Sequence, residues 1–171
     1  MRRLAPFLAL TLLSACGGTT PTASQPSPLT CTDSGTASQD WPLPQPPPSS
    51  TPPIVSATAS GDNLTITFTL GTPPFQVITQ SGTEFHEDPS GNVVNLAGTD
   101  GARIVLTGFR GDQANYKGVK KLTSTGPRLL EVLELGDFEG NVDWAVGLNG
   151  SSCANVTSTG STLTFQFIPD A

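Results

Sequence analysis

The chain has 171 residues and is acidic, with 14 Asp and Glu against 8 Lys and Arg and a formal charge of −6. That balance lacks the basic footprint that nucleic-acid phosphates require, and it lacks the Lys/Arg excess that anionic lipid headgroups attract. A single histidine and three cysteines leave little material for a zinc site, which needs several nitrogen or sulfur ligands.

Met1-Arg2-Arg3 opens the chain and an apolar run follows from Leu4 to Leu13, closed by the small residues Ser14 and Ala15 before Cys16. A positive start, a short apolar stretch and small residues make an export signal. The run falls short of the roughly 20 apolar residues needed to span a bilayer. Leu13-Ser14-Ala15-Cys16 resembles the lipobox of bacterial lipoproteins. The resemblance implies that residues 1–15 are removed as a signal peptide and that Cys16 carries lipid. It places the chain on the cell membrane or the outer membrane, facing the periplasm or the extracellular side. Gly17 is not the aspartate that resembles an inner-membrane retention signal, which leaves the outer membrane open. Loss of residues 1–15 takes Arg2 and Arg3 and no acid, so −6 becomes −8. The lipid must then do the anchoring, which multiple acyl chains do firmly and one chain does marginally.

Residues 16–53 read as the lipidated cysteine and a disordered Pro/Ser/Thr-rich linker, with Pro42, Pro44, Pro46, Pro47, Pro48, Pro52 and Pro53 densely spaced. Such a composition cannot bury enough apolar area to offset ordering entropy. Its proline half is expected to be stiff, at about 3.1 Å per residue, and to act as a stalk. Trp41 is the one aromatic in it. With Cys16 taken by lipid, Cys31 and Cys153 remain as an even pair in an oxidising compartment. A disulfide between them would close a loop of over a hundred residues, worth about 4–5 kcal/mol in the chain-entropy model. The alternative is two unpaired buried thiols. Their separation fits neither a redox CxxC nor a zinc spacing.

From Ile54 the texture is β. Leu64, Ile66, Phe68 and Leu70 alternate with Thr65, Thr67 and Thr69 after a Ser60-Gly61-Asp62-Asn63 turn. Further strands are expected over Phe75–Thr79, Glu84–Glu87, Val93–Ala97, Arg103–Phe109, Leu129–Leu135, Val142–Leu148 and Thr162–Ile168. Asp88-Pro89-Ser90-Gly91-Asn92 marks a turn, and Gly126-Pro127 and Gly136 hold the Leu129 segment to strand length. The polar sets Thr65/Thr67/Thr69 and Thr162/Thr164/Gln166 look alike, which suggests related sheet positions for the first and last strands. Short strands with Gly/Pro turns predict an all-β domain over residues 54–171, a sandwich or barrel with one core.

His86 sits among Glu84, Glu87 and Asp88, a set that invites a metal or acid–base reading. Period two puts Glu84, His86 and Asp88 on one face, and the plainer reading is a solvated hairpin arm with Phe85 turned inward. No metal site and no cofactor are expected. Gly-x-Ser-x-Gly, phosphate-cradling and dinucleotide fingerprints are absent. A hydrolase or metal-dependent enzyme would have to centre on His86. The six basic residues of the mature chain all fall between Arg103 and Arg128. Arg110, Tyr116, Lys117, Lys120 and Lys121 form a candidate contact for an anionic envelope polymer. The competing reading is a solvated loop paired with Glu131, Glu134, Asp137 and Glu139.

Leu130 to Gly140, ending Gly-Asp-Phe-Glu-Gly, is followed by Val142-Asp143-Trp144-Ala145-Val146-Gly147-Leu148. This pair of strands resembles the AMIN-like domain of bacterial, largely actinobacterial, lipoproteins. Leu64–Leu70 with Pro74-Phe75-Gln76-Val77, and Leu163-Thr164-Phe165-Gln166-Phe167, resemble that family's opening and closing strands. Thr159-Gly160-Ser161-Thr162 departs from the Pro-Pro-Arg-Leu type of approach to the last strand. The resemblance implies a compact β-sandwich of two small sheets without catalytic residues. Related AMIN domains attach to cell walls and target envelope proteins. Read from the residues, Gly136 and Gly140 bracket a turn, Asp137 can bond its own backbone and Phe138 is expected to pin the loop to the core. The expectation is a non-enzymatic, lipid-anchored envelope protein that binds peptidoglycan or another envelope component. A module for a partner protein or solute is the rival.

Overall fold

The computed structural model describes residues 36–38, 53–69, 71–109 and 116–170. The signal peptide, Cys16, Cys31, Trp41 and Arg110 lie outside the described residues. Twelve strands and no helix are found among the described residues. In chain order they are β1 (Thr36–Ser38), β2 (Ile54–Ser60), β3 (Asn63–Phe68), β4 (Phe75–Ser81), β5 (Glu84–His86) and β6 (Val93–Asn95). β7 (Asp100–Thr107), β8 (Lys121–Thr123), β9 (Leu129–Phe138), β10 (Asn141–Leu148), β11 (Ser152–Thr159) and β12 (Thr162–Pro169) follow.

The strands form an all-β, sandwich-like arrangement rather than the expected pair of small sheets. One sheet has six strands in the order β1-β4-β7-β10-β9-β8, a second has four in the order β11-β12-β3-β2, and β5-β6 is a separate ribbon. Alternation supplies the core between the two larger sheets. Leu64, Ile66 and Phe68 from β3 and Leu163, Phe165 and Phe167 from β12 meet Phe75, Ile104, Leu106, Trp144 and Val146 from the larger sheet. Phe75 and Phe165 touch edge-on across the gap, with ring centroids 5.5 Å apart. Each such fully buried side chain is worth about 1.5–3 kcal/mol of transfer free energy. The predicted kinship of the first and last polar strands is a direct pairing. Thr65 faces Thr164 and Thr67 faces Thr162 in the β3–β12 ladder.

Four elements depart from expectation, one of them β8, which pairs with β9 inside the segment read as a basic loop. β1 lies inside the segment read as linker, and its pairing completes the open edge of β4, with Thr36 opposite Ile78. β2 and β11 flank the four-stranded sheet and were not predicted, because Ala57 and Ala59 in β2, and Ala154 and Val156 in β11, are small residues set among Ser, Thr and Asn and give faint hydrophobic contrast. Their turns are two residues long, Gly61-Asp62 and Gly160-Ser161, each with a positive-φ glycine first, as type II′ hairpins require.

The β5–β6 ribbon covers part of the outer face of the six-stranded sheet. Phe85 and Leu96 bury against Leu135 and Ala145 in a second small cluster. Glycine makes this approach possible. Gly101 and Gly147 are cross-strand partners in β7 and β10. A Cβ at the first would meet the Phe85 ring at 2.7 Å, and one at the second the Ala97 carbonyl oxygen at 2.2 Å.

Candidate functional site

The basic segment is largely neutralised by its own neighbours. β8 pairs with β9, placing Lys121 opposite Leu133 and Thr123 opposite Glu131. Lys121 Nζ then lies 3.2 Å from Glu131 Oε2, and Lys120 Nζ 3.4 Å from Glu134 Oε2. Arg128 donates to the Ser151 carbonyl and the Ser152 hydroxyl, which ties it to β11. Lys117 is exposed. Pairing with Glu131 and Glu134 is therefore what the structure shows for Lys120 and Lys121.

Tyr116 is not the aromatic tip of a loop. It is 8% exposed and packs edge-on against Trp144 at 5.3 Å, and its hydroxyl donates to the Val119 carbonyl at 3.0 Å. Burial, helped by the nearby Glu134 charge, raises the phenol above its ordinary value, so it stays a neutral donor. The sequence offered no signal for this, since a lone tyrosine beside lysines reads equally as tip or anchor.

The histidine hairpin follows the plainer expectation. Phe85 is buried while Glu84 and His86 are exposed on either side of it. Glu87 organises the turn. Its backbone N–H donates to the Asn92 carbonyl, and its carboxylate accepts from Ser90 Oγ and Asn92 Nδ2. Asp88, followed by a cis peptide bond to Pro89, leaves the hairpin for the sheet. Among the described residues no group of three His, Cys, Asp or Glu is placed to hold a metal ion.

Asp88 enters the arrangement that sequence reasoning missed. Arg103 on β7 donates to Asp143 on β10 through both Nε, at 3.0 Å, and Nη2. The same Nη2 donates to Asp88 Oδ2 at 2.6 Å. Asp143 has a side chain only 8% exposed, and its Oδ1 has no hydrogen-bond partner. Burial pushes its carboxyl above the ordinary value, outweighing Arg103, and Asp88 pushes the same way. Desolvation opposes the Arg103 charge, but the two carboxylates outweigh it and hold the guanidinium ionised. Gly136, Phe138, Glu139 and Asn141 complete a shallow cleft of about 210 Å³ around the three. The cleft pairs acids with a guanidinium and has no nucleophile–imidazole pair in its lining. Its chemistry is that of a clamp, fastening the hairpin's end to the sheet.

The Gly-Asp-Phe-Glu-Gly segment forms the β9–β10 hairpin. Phe138 and Asn141 pair, and the two loop residues are Glu139 at φ 51° and Gly140 at φ 81°, the type I′ pattern. Gly140 also faces the Phe109 carbonyl oxygen, 2.4 Å from where a Cβ would stand. Phe138 is 43% exposed, so it rims the cleft and does not pin the loop to the core.

The outer face of the four-stranded sheet is the other extended feature. One row across it reads Thr58, Thr65, Thr164, Thr157, and the next reads Ser56, Thr67, Thr162, Thr159. None of these side chains is buried. The sequence showed the two central strands of this face. It missed the flanking ones, whose Ser-Ala-Thr-Ala-Ser and Asn-Val-Thr-Ser-Thr alternation was the available signal.

Comparison of the chain with protein-family models, with curated proteins and with solved structures found no match.

Proposed function

We propose that this chain is a lipid-anchored, non-enzymatic cell-envelope protein that binds peptidoglycan or another envelope component through its β domain. The observation that carries the reading is Leu13-Ser14-Ala15-Cys16 behind a short apolar run with an Arg2-Arg3 start. Lipid on Cys16 would hold the chain at the membrane, and the Pro-rich segment would lift the domain off it. The all-β, sandwich-like arrangement and the Gly-Asp-Phe-Glu-Gly hairpin support an AMIN-like β-sandwich as the binding module, and the resemblance to wall-attaching domains supports an envelope ligand. The basic segment is a weaker candidate surface than its sequence suggests, because Lys120 and Lys121 are already ion-paired.

Two measurements test this. Cys16→Ala should move the chain from the detergent phase to the aqueous phase on phase partitioning. The full chain in detergent should co-sediment with purified sacculi at low salt. A chain that stays soluble away from sacculi removes the wall-binding claim. A Cys16→Ala variant that remains in the detergent phase removes the anchor.

A further inference from the structure

We propose that the outer face of the four-stranded sheet is a binding surface for an uncharged polysaccharide chain. This rests on the envelope-binding reading and names its ligand class and its face. The register aligns three rows of four outward residues, from Ser56 to Thr159, Thr58 to Thr157 and Ser60 to Asn155. Seven of the twelve are Thr, and the rest are Ser, Asn and Gln. The chain is 13% charged, so about one or two charges are expected across twelve positions. This face has none, although the chain carries 22 charged residues, 14 acidic and 8 basic.

The composition selects the partner by what it can and cannot recognise. A nucleic acid or an anionic polymer needs cations, and there are none on the face. A protein interface is built around aromatic, Met and Arg anchors, and these twelve positions offer none. A lipid surface needs an apolar face. What remains is a partner whose groups both donate and accept hydrogen bonds, as Ser and Thr hydroxyls and Asn and Gln amides do. Neutral sugar hydroxyls have that chemistry.

The face is also stiff. Threonine is restricted at χ1, so ordering it on binding costs little rotamer entropy. Thr65 and Thr164 hydroxyls lie 3.4 Å apart across the β3–β12 ladder, as do those of Thr67 and Thr162, which further fixes the central columns. Strands spaced about 4.7–4.9 Å apart and rows two residues apart make a patch roughly 14 Å by 13 Å. A single sugar ring does not fill it, so a polymer is bound in preference to a free sugar.

The probe is chitin, an uncharged N-acetylglucosamine polymer, with the full chain in detergent. Retention should persist in about 1 M salt, where the screening length is roughly 3 Å. Thr65→Val with Thr164→Val deletes two hydroxyls while keeping shape and strand preference, and should weaken retention about tenfold with an unchanged melting temperature. Lys117→Ala with Lys120→Ala and Lys121→Ala should leave it intact. Two results overturn the proposal: equal retention of the valine variant, or no retention on chitin while sacculi still capture the chain. The second leaves the envelope-binding reading standing, whereas capture by neither overturns both.

Discussion

Glu134 is the residue whose chemistry is most at odds with its surroundings. It stands opposite Trp144 in the β9–β10 register and is 5% exposed. Lys120 Nζ approaches its Oε2 at 3.4 Å, an ion-pair distance too long for a strong hydrogen bond, and that ammonium group belongs to a side chain 64% exposed. Desolvation therefore wins, and the carboxyl is raised above its ordinary 4.5 despite Lys120. An acid raised in the folded state stabilises the fold fully below its unfolded pKa and loses that contribution as pH rises through the folded one. The unfolding free energy in urea should thus fall as pH is raised from the ordinary carboxylate range toward neutral. Glu134→Gln should flatten that fall. An unchanged slope in the variant would assign the effect to Asp143, the other buried acid raised by desolvation.

At the scale of elements, the β9–β10 hairpin carries a residue its turn does not favour. Glu139 is the one described non-glycine at positive φ, and an L residue there costs about 1–2 kcal/mol. Asn-Gly is the preferred type I′ pair. Glu139→Asn should raise the denaturant midpoint by the equivalent of about 1 kcal/mol, since the residue is exposed at the rim of the cleft. The β5–β6 ribbon depends on a different device. Arg103→Met would leave the Asp143 carboxyl without its cation at 8% exposure. Removing one partner of a fully buried pair costs about 3–5 kcal/mol, and with Arg103 one-third exposed about 2–3 is expected. Asp88→Asn should cost less, because that carboxylate is 40% exposed. Denaturant unfolding ranks the two, and a second change, Asp143→Leu, should recover most of the Arg103→Met loss. Strands with clear contrast, such as Leu64-Thr65-Ile66-Thr67-Phe68, were legible because period two sorts their side chains between core and water. The clamp was not, because Asp88, Arg103 and Asp143 are distant in sequence and meet only through the β7–β10 register and the hairpin's return. Asp62 is hidden for the same reason. It reads as a turn residue, yet its Oδ1 accepts from the backbone N–H of Arg128 and of Leu129, joining the small sheet's turn to the start of β9.

At the scale of the whole molecule, the question is how the N-terminal segment meets the domain. β1 holds Thr36 opposite Ile78 at one edge of the six-stranded sheet, and Cys31 lies five residues before it in sequence. β4, the neighbour of β1, touches β11, the edge strand of the other sheet and the one that carries Cys153. β1 and the strand of Cys153 are thus both neighbours of β4, an arrangement against which the Cys31–Cys153 bridge expected from the sequence can be tested. Such a bridge would fasten the chain at residue 31 to the edge where β1 adds to the sheet. The chain-entropy model assigns it about 4–5 kcal/mol. Cys153→Ser should lower the unfolding free energy by an amount of that order, and reductant should bring the wild-type chain to the same level while leaving the variant unmoved. Amide exchange over Thr36–Ser38 should quicken under the same reducing conditions, because three residues of edge pairing do not hold by themselves. Equal unfolding of the chain with and without reductant would dissolve the bridge and leave β1 as an edge strand held by pairing alone.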